Sequence, residues 1–142
     1  MRSLLYFACC LTVFMTGTAL RGADTAVLLA GAAVVDISPQ TLPAFQNGGF
    51  LQAKSNRVVD PLHARSLVIS DRSETIAIVI VDSCMLPTFL CDKVKHLASQ
   101  ETGIPIDRIL ISATHTHMAP SSMLCLGCPA DDPYVQYVPA RI

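Results

Sequence analysis

The stretch TIAIVIVDSCMLPTFLCDKVKHLASQETGIPIDRILISAT, residues 75–114, holds two apolar runs separated by an amphipathic segment. The first run (75–82) and the last (108–114) are rich in β-branched residues, which is typical of buried strands. Between them, apolar residues recur at helical spacing after Pro87, and Gly103 marks the end of the pattern. This order predicts a parallel β-α-β unit with a right-handed crossover.

The segments before this unit predict two more strands. RSLVIS (65–70) is separated from the run 75–82 by DRSE, which is the pattern of an antiparallel hairpin. A short strand from Ala32 to Asp36 precedes them, and residues 40–61 form a long loop with little periodicity. Because the run 75–82 is apolar nearly throughout, we expect a strand that is covered on both faces.

The predicted fold class is therefore α/β, with a mixed, partly parallel sheet that contains a β-hairpin and a βαβ unit. One crossover helix is too little to cover a parallel sheet on both faces and at its edges. Residues 128–142 carry no predicted compact element. We expect an incomplete N-terminal part of a larger domain.

Composition and charge restrict the class of partner. The 142 residues are 51% hydrophobic and 15% charged, with a formal charge of -1, which fits one globular domain. Ten Lys and Arg residues are scattered along the chain and balanced by eleven acidic residues. No basic patch indicates binding to nucleic acid.

Residues 1–23 predict a secretory signal peptide with cleavage near positions 19–23. A short basic start is followed by an uncharged apolar stretch (3–15) and then by small residues. The alternative is a membrane anchor, because residues 3–20 are 18 uncharged residues, at the lower limit of a spanning helix. The signal peptide is favoured, so residues 24–142 are expected to be exported to the periplasm or secreted.

Four cysteines remain after this cleavage, namely Cys84, Cys91, Cys125 and Cys128. An exported compartment permits disulfides. A bridge between Cys84 and Cys91 is conceivable but is not implied by the sequence. Cys125 and Cys128 have CxxC spacing, for which we rank a local disulfide first, free thiols second and a metal site third.

Two histidines, His115 and His117, follow the last apolar run at the expected carboxyl end of the sheet, where ligands gather in parallel sheets. Asp82 ends the neighbouring run, so one carboxylate and two imidazoles are expected near each other. In an extended chain, residues i and i+2 share a face, which would direct both rings to one side. Imidazole and carboxylate are zinc ligands. The alternative is a histidine pair that hydrogen-bonds to loop backbone, and His96, in the predicted helix, is expected to be solvated.

The motif ISATHTHMAPS (111–121) resembles the THTH signature in the N-terminal region of neutral ceramidases. The preceding order is also similar, since AGAAVVDISP (30–39), QNGGF (46–50) and DPLHARSLVIS (60–70) come before an Asp-tipped strand. The resemblance covers roughly residues 30–122 and is closest to the N-terminal domain of exported bacterial neutral/alkaline ceramidases.

This resemblance implies a zinc-dependent amidase that cleaves the N-acyl bond of ceramide to give sphingosine and a fatty acid, with contact to a membrane surface. It makes His115 a zinc ligand and His117 a catalytic residue beside the reacting groups. It also places the loop Asn47, Gly48 and Gly49 beside the catalytic pocket.

The sequence departs from the family pattern in two ways. Met118 and Ala119 replace the serine and glycine that follow the motif in the family. The family's other zinc ligands and its catalytic serine lie far downstream and have no counterpart in this sequence. We therefore expect the isolated chain to be inactive and to need the C-terminal part of the same fold. The alternatives are a non-catalytic exported α/β remnant and a related zinc hydrolase with a different N-acyl or ester substrate.

Overall fold

The computed structural model describes residues 27–142, and the predicted signal peptide lies outside the described residues. The strands are β1 (Leu29–Asp36), β2 (Ala44–Gln46), β3 (Ala53–Ser55), β4 (His63–Ser70), β5 (Thr75–Val81) and β6 (Ile109–Ala113). The helices are α1 (Thr88–Thr102) and α2 (Asp132–Tyr137), with short 3-10 turns at Ile106–Arg108 and Val138–Ala140. Within residues 27–142, no helix is long and apolar enough to cross a membrane.

The four longest strands form one mixed sheet in the order β1-β4-β5-β6. β1 pairs with β4 and β4 with β5 in antiparallel fashion, whereas β5 and β6 are parallel neighbours joined through α1. The predicted α/β class, the hairpin and the βαβ unit are therefore confirmed.

The crossover helix α1 begins and ends where the sequence indicates. Pro87 is its N-cap, and Gly103 is its C-cap in the left-handed conformation at φ 74°. The Gly103 N–H donates a hydrogen bond of 2.9 Å to the Ser99 carbonyl, so it satisfies one of the carbonyls at the end of the helix. Leu90 and Val94 on the apolar side are buried.

One face of the sheet carries the core and the other does not. Alternate residues of β5, including Val79 and Val81, are buried in a cluster with Leu90 and Val94 of α1. The opposite face, called the open face below, exposes large apolar side chains at 36% to 63% of their surface: Val34, Leu67, Ile76, Ile80 and Leu110. The expectation that β5 is covered on both faces is therefore wrong for residues 27–142, since the helices pack on one side only.

The predicted long loop at 40–61 contains structure. β2 and β3 pair there as a two-stranded antiparallel ribbon, separate from the main sheet. Each strand has only three residues, which is too short for a period-2 pattern to stand out in the sequence.

The segment after Cys128 is also ordered, contrary to the sequence prediction. Asp131 is the N-cap of α2, and its carboxylate accepts hydrogen bonds from the backbone N–H groups of Tyr134 (3.2 Å) and Phe45 (2.8 Å). Tyr134 and Val138 join the core cluster. The Asp131 carboxylate thus caps α2 and links it to β2. A helix of six residues is not stable alone in water, so packing against the rest of the fold stabilises α2.

Candidate functional site

His115 lies where the chain leaves the sheet. The Thr114 N–H donates to the Val81 carbonyl at 2.9 Å, beside the parallel pairing of β5 and β6. At the next residue the backbone turns into the left-handed region, with His115 at φ 62°. This conformation costs a β-carbon-bearing residue about 1–2 kcal/mol, and such strain is concentrated at functional sites.

The hydrogen bonds of His115 fix its tautomer. Nδ1 lies 2.7 Å from the Cys84 carbonyl oxygen, which can only accept, so Nδ1 carries the proton and donates. In this tautomer Nε2 carries a lone pair that can accept a donor or bind a metal ion. A carbonyl that orients an imidazole in this way is the usual partner of a metal-ligating histidine.

His117 points its ring at this nitrogen. The two Nε2 atoms are 3.4 Å apart, and the rings meet edge to face with centroids 5.0 Å apart. The convergence was predicted, but the predicted reason was wrong, because His115 is left-handed rather than extended. Two nitrogens bound to one tetrahedral zinc ion at about 2.0–2.1 Å lie about 3.4 Å apart, so the pair fits this metal.

The loop Asn47, Gly48 and Gly49 packs under His117. Gly48 has φ 103°, and a β-carbon there would lie 2.8 Å from Nδ1 of His117, a distance that real side chains do not reach. Asn47 is buried and accepts from the Gly48 N–H at 3.0 Å. Gly49 has no such contact with His117. The structure therefore brings Gly48 to His117 and leaves Gly49 at the edge of the loop.

Gln46 is a site residue that the sequence reasoning missed. Its side-chain N–H donates to the His117 carbonyl at 2.9 Å and its Nε2 lies 3.1 Å from the Met118 sulfur. It therefore fixes the backbone of the histidine loop against β2. The sequence feature that could have identified Gln46 as a site residue is its position directly before the loop Asn47, Gly48 and Gly49.

Asp82 is not the carboxylate partner of the histidines. Both of its oxygens accept from Arg65 Nη1 at 2.9 Å, and Oδ2 also accepts from the His63 N–H at 2.9 Å. The contact gives Arg65 a structural role. The prediction of Asp82 as a third member of the site is wrong, because among the described residues the ligand atoms that cluster are those of Cys84, His115 and His117, whereas Asp82 binds Arg65 and the His63 backbone.

Cys84 takes the place that was expected for Asp82. One ligand atom each from Cys84, His115 and His117 lies within 4.8 Å of the other two. The thiol is buried, and burial raises its pKa, with a further rise from Cys125. The sequence reasoning weighed this cysteine only for a disulfide.

The cysteines at 84, 91, 125 and 128 are free thiols, so the first-ranked CxxC disulfide is not formed. The backbones of Cys125 and Cys128 exchange two hydrogen bonds across a tight turn, in which Leu126 and Gly127 have positive φ. The buried Cys128 thiol instead donates to the Gln46 carbonyl at 3.2 Å. Cys91 contacts the Leu86 carbonyl rather than Cys84.

His96 stays apart from this group. It lies in α1, where its Nδ1 is 2.7 Å from the Asp92 carbonyl one turn away. The side chain is exposed on the helix surface, which confirms the expectation of a solvated histidine.

A cavity of about 450 Å³ opens beside the histidine motif. Thr116 and Met118, on either side of His117 in the chain, line it together with Leu42, Phe45 and Val59. Most of these lining side chains are apolar, so the cavity suits a hydrocarbon group next to a polar site.

The fold has known counterparts among solved structures. The crystal structure of neutral ceramidase from Pseudomonas aeruginosa matches at a TM-score of 0.73 and 18% identity, over 84% of this chain and 21% of that one. A ceramidase complexed with C2 matches at a TM-score of 0.58 and 20% identity, over 68% of this chain and 16% of that one. No protein-family model and no curated protein matches the sequence.

These likenesses establish the fold: the chain is folded like part of a neutral ceramidase. It spans about a fifth of the length of that enzyme. The resemblance inferred from THTH and its ordered context is thus supported at the level of structure.

Proposed function

We propose that this protein is an exported zinc-dependent amidohydrolase of the neutral ceramidase type, which hydrolyses the N-acyl bond of ceramide to sphingosine and a fatty acid. The observation that carries the proposal is the convergence of His115 Nε2 and His117 Nε2 to 3.4 Å on a ceramidase-like fold. Export rests on the signal sequence in residues 1–23.

His115 would hold the zinc through Nε2, because its Nδ1 proton is committed to the Cys84 carbonyl. When bound, zinc polarises a carbonyl oxygen and lowers the pKa of a water molecule toward neutrality. The backbone turns into the left-handed region at His115, two residues after the β5–β6 ladder ends at Ala113.

His117 lies beside this position with its ring packed on Gly48 and its carbonyl held by Gln46. These contacts limit the motion of the ring. The Nε2 atom of His117 lies 3.4 Å from Nε2 of His115. At this distance His117 could bind the same ion or could pass a proton to bound substrate.

The apolar cavity beside Thr116 and Met118 supports a lipid-like N-acyl substrate. A hydrocarbon chain placed there would contact Thr116 and Met118, the residues that flank His117 in the chain. One structural neighbour is a ceramidase complexed with C2. The thioether of Met118, 74% exposed, adds apolar surface on the solvent side and suits contact with a lipid surface.

The proposed activity belongs to a larger fold than these 142 residues, since the structural neighbour is about five times as long as the matched region. We propose that further polypeptide of the same fold covers the open face and supplies the remaining catalytic groups. The exposed apolar residues of β1, β5 and β6 support this proposal.

The test uses the protein at its native length, with ceramide in detergent micelles and fatty-acid release as the measurement. We expect release that a zinc chelator stops and added zinc restores. His115→Ala should abolish it, whereas His96→Ala, on the helix surface, should not. Release that survives both chelation and His115→Ala would contradict the mechanism, and the absence of any release would favour a non-catalytic protein or another N-acyl or ester substrate.

A further inference from the structure

We propose that the Cys84 thiolate is a metal ligand, and that Cys84, His115 and His117 together form a metal site that this chain completes by itself. The inference shares with the proposed function only the placement of a metal at His115. It assigns His117 the role of ligand. The site would exist even if the protein hydrolysed no ceramide.

The three side chains lie close enough together to share one ion. The two histidine nitrogens are already 3.4 Å apart, as in a zinc site. One ligand atom from each of the three residues lies within 4.8 Å of the others. Cys84 Sγ lies 3.9 Å from Nδ1 of His115. Ideal zinc–sulfur and zinc–nitrogen lengths place a ligand sulfur about 3.6 Å from each ligand nitrogen, so binding at the two Nε2 atoms requires the Cys84 side chain to turn toward them.

Cys84 is held in place by its own backbone. Its carbonyl accepts the His115 Nδ1 proton at 2.7 Å, so the residue that orients one ligand also brings its thiol to the site. The Met85 carbonyl next to it accepts from Ser83 Oγ and Ser122 Oγ, and both serines are buried. These contacts fix the β5–α1 connection that carries Cys84.

The donor set decides which metals fit. One thiolate and two imidazoles favour zinc or cobalt(II) over magnesium or calcium, which prefer oxygen ligands. Three protein ligands with one open position are the arrangement of catalytic zinc sites. His115 and His117 are exposed whereas Cys84 is buried, so the open position would face solvent.

The test is cobalt(II) titration of the 142-residue chain, followed by absorption. A thiolate ligand gives a sulfur-to-cobalt charge-transfer band in the near ultraviolet, and we expect this band to saturate at one ion per chain. Cys84→Ser should remove the band and weaken binding by more than about tenfold. Cys125→Ser, the matched control at another free thiol, should retain both, and His117→Ala should weaken binding while the band persists at saturation.

Zinc-edge X-ray absorption of the unmodified, zinc-loaded chain tests for a sulfur ligand without the use of a variant. We expect one sulfur at about 2.3 Å and nitrogens at about 2.0 Å. A coordination shell without sulfur, or a charge-transfer band that survives Cys84→Ser, would overturn the proposal. Failure of the ceramide assay alone leaves these spectra unchanged, so the two proposals fail separately.

Discussion

His117 and Gly48 show how single residues shape the site. The His117 ring occupies the space where any residue other than glycine at position 48 would place its β-carbon. Gly48 also sits at φ 103°, a region that residues with a β-carbon rarely adopt. The neighbouring Gly49 has ordinary backbone and a nearest contact of 3.4 Å to the Leu51 carbonyl. Adjacent glycines in one loop therefore carry different constraints.

Gly48→Ala should displace His117 and weaken metal binding by at least about tenfold, because the new methyl group meets the imidazole ring. It should also lower the free energy of unfolding by about 1–2 kcal/mol through the positive φ. Metal titration and urea unfolding measure the two effects. Gly49→Ala is the control and should change neither appreciably; equal effects of both substitutions would show that the contact with His117 is unimportant.

The β4–β5 hairpin shows how an element depends on a turn. Asp71 begins the DRSE turn, and its Oδ1 accepts from the Ser73 N–H at 2.9 Å, the Ser73 hydroxyl at 2.8 Å and the Glu74 N–H at 2.8 Å. These hydrogen bonds lower the pKa of Asp71 below its ordinary value of 3.8, with the Glu74 backbone as the largest cause. The turn sets the register in which Ser70 faces Thr75, and with it the alternation of buried and exposed residues along β5.

Asp71→Ala should lower the thermal midpoint of the chain at neutral pH. Because the folded-state pKa is below the unfolded one, the stabilisation is present above the unfolded pKa and is lost as pH falls through the folded pKa. The midpoints of the variant and the parent should therefore stay apart down to about pH 4 and converge only as the pH falls further, through the lowered folded-state pKa. Asp92→Ala, at an exposed position in α1, is the control; a midpoint difference for Asp71→Ala that does not change with pH would show that the charge is not involved.

At the scale of the whole molecule, the main feature is a sheet with one packed face. Val81 is fully buried under the helices, whereas Val34 on the open face is 63% exposed. An antiparallel sheet tolerates such a one-sided arrangement, but the parallel β5–β6 pair is usually buried on both faces. The open face is thus an apolar surface that no helix of residues 27–142 covers.

The substitution Val→Ala reports on each face separately. Val81→Ala should cost about 2 kcal/mol of unfolding free energy through lost burial and a residual cavity. Val34→Ala in the same chain should change the free energy of unfolding by no more than about 0.5 kcal/mol.

If further polypeptide covers the open face in the native-length protein, Val34→Ala should lower the free energy of unfolding of that protein by more. Denaturant unfolding of the 142-residue chain and of the native-length protein measures the difference. An unchanged small cost at native length would contradict the proposed covering.

The sequence by itself determined the four long strands, the crossover helix and the two histidines of the site, but not β2, β3 or α2. β-branched periodicity, a proline start and a glycine end defined β5, α1 and β6, because these signals act between neighbouring residues. The THTH motif marked His115 and His117. Only the tertiary structure decided the partners: Arg65 takes Asp82, Cys84 approaches the histidines, and Asp131 starts α2 while holding β2. These contacts join residues that are 17 to 86 positions apart, and no local pattern specifies which of several polar groups meets another across folded space.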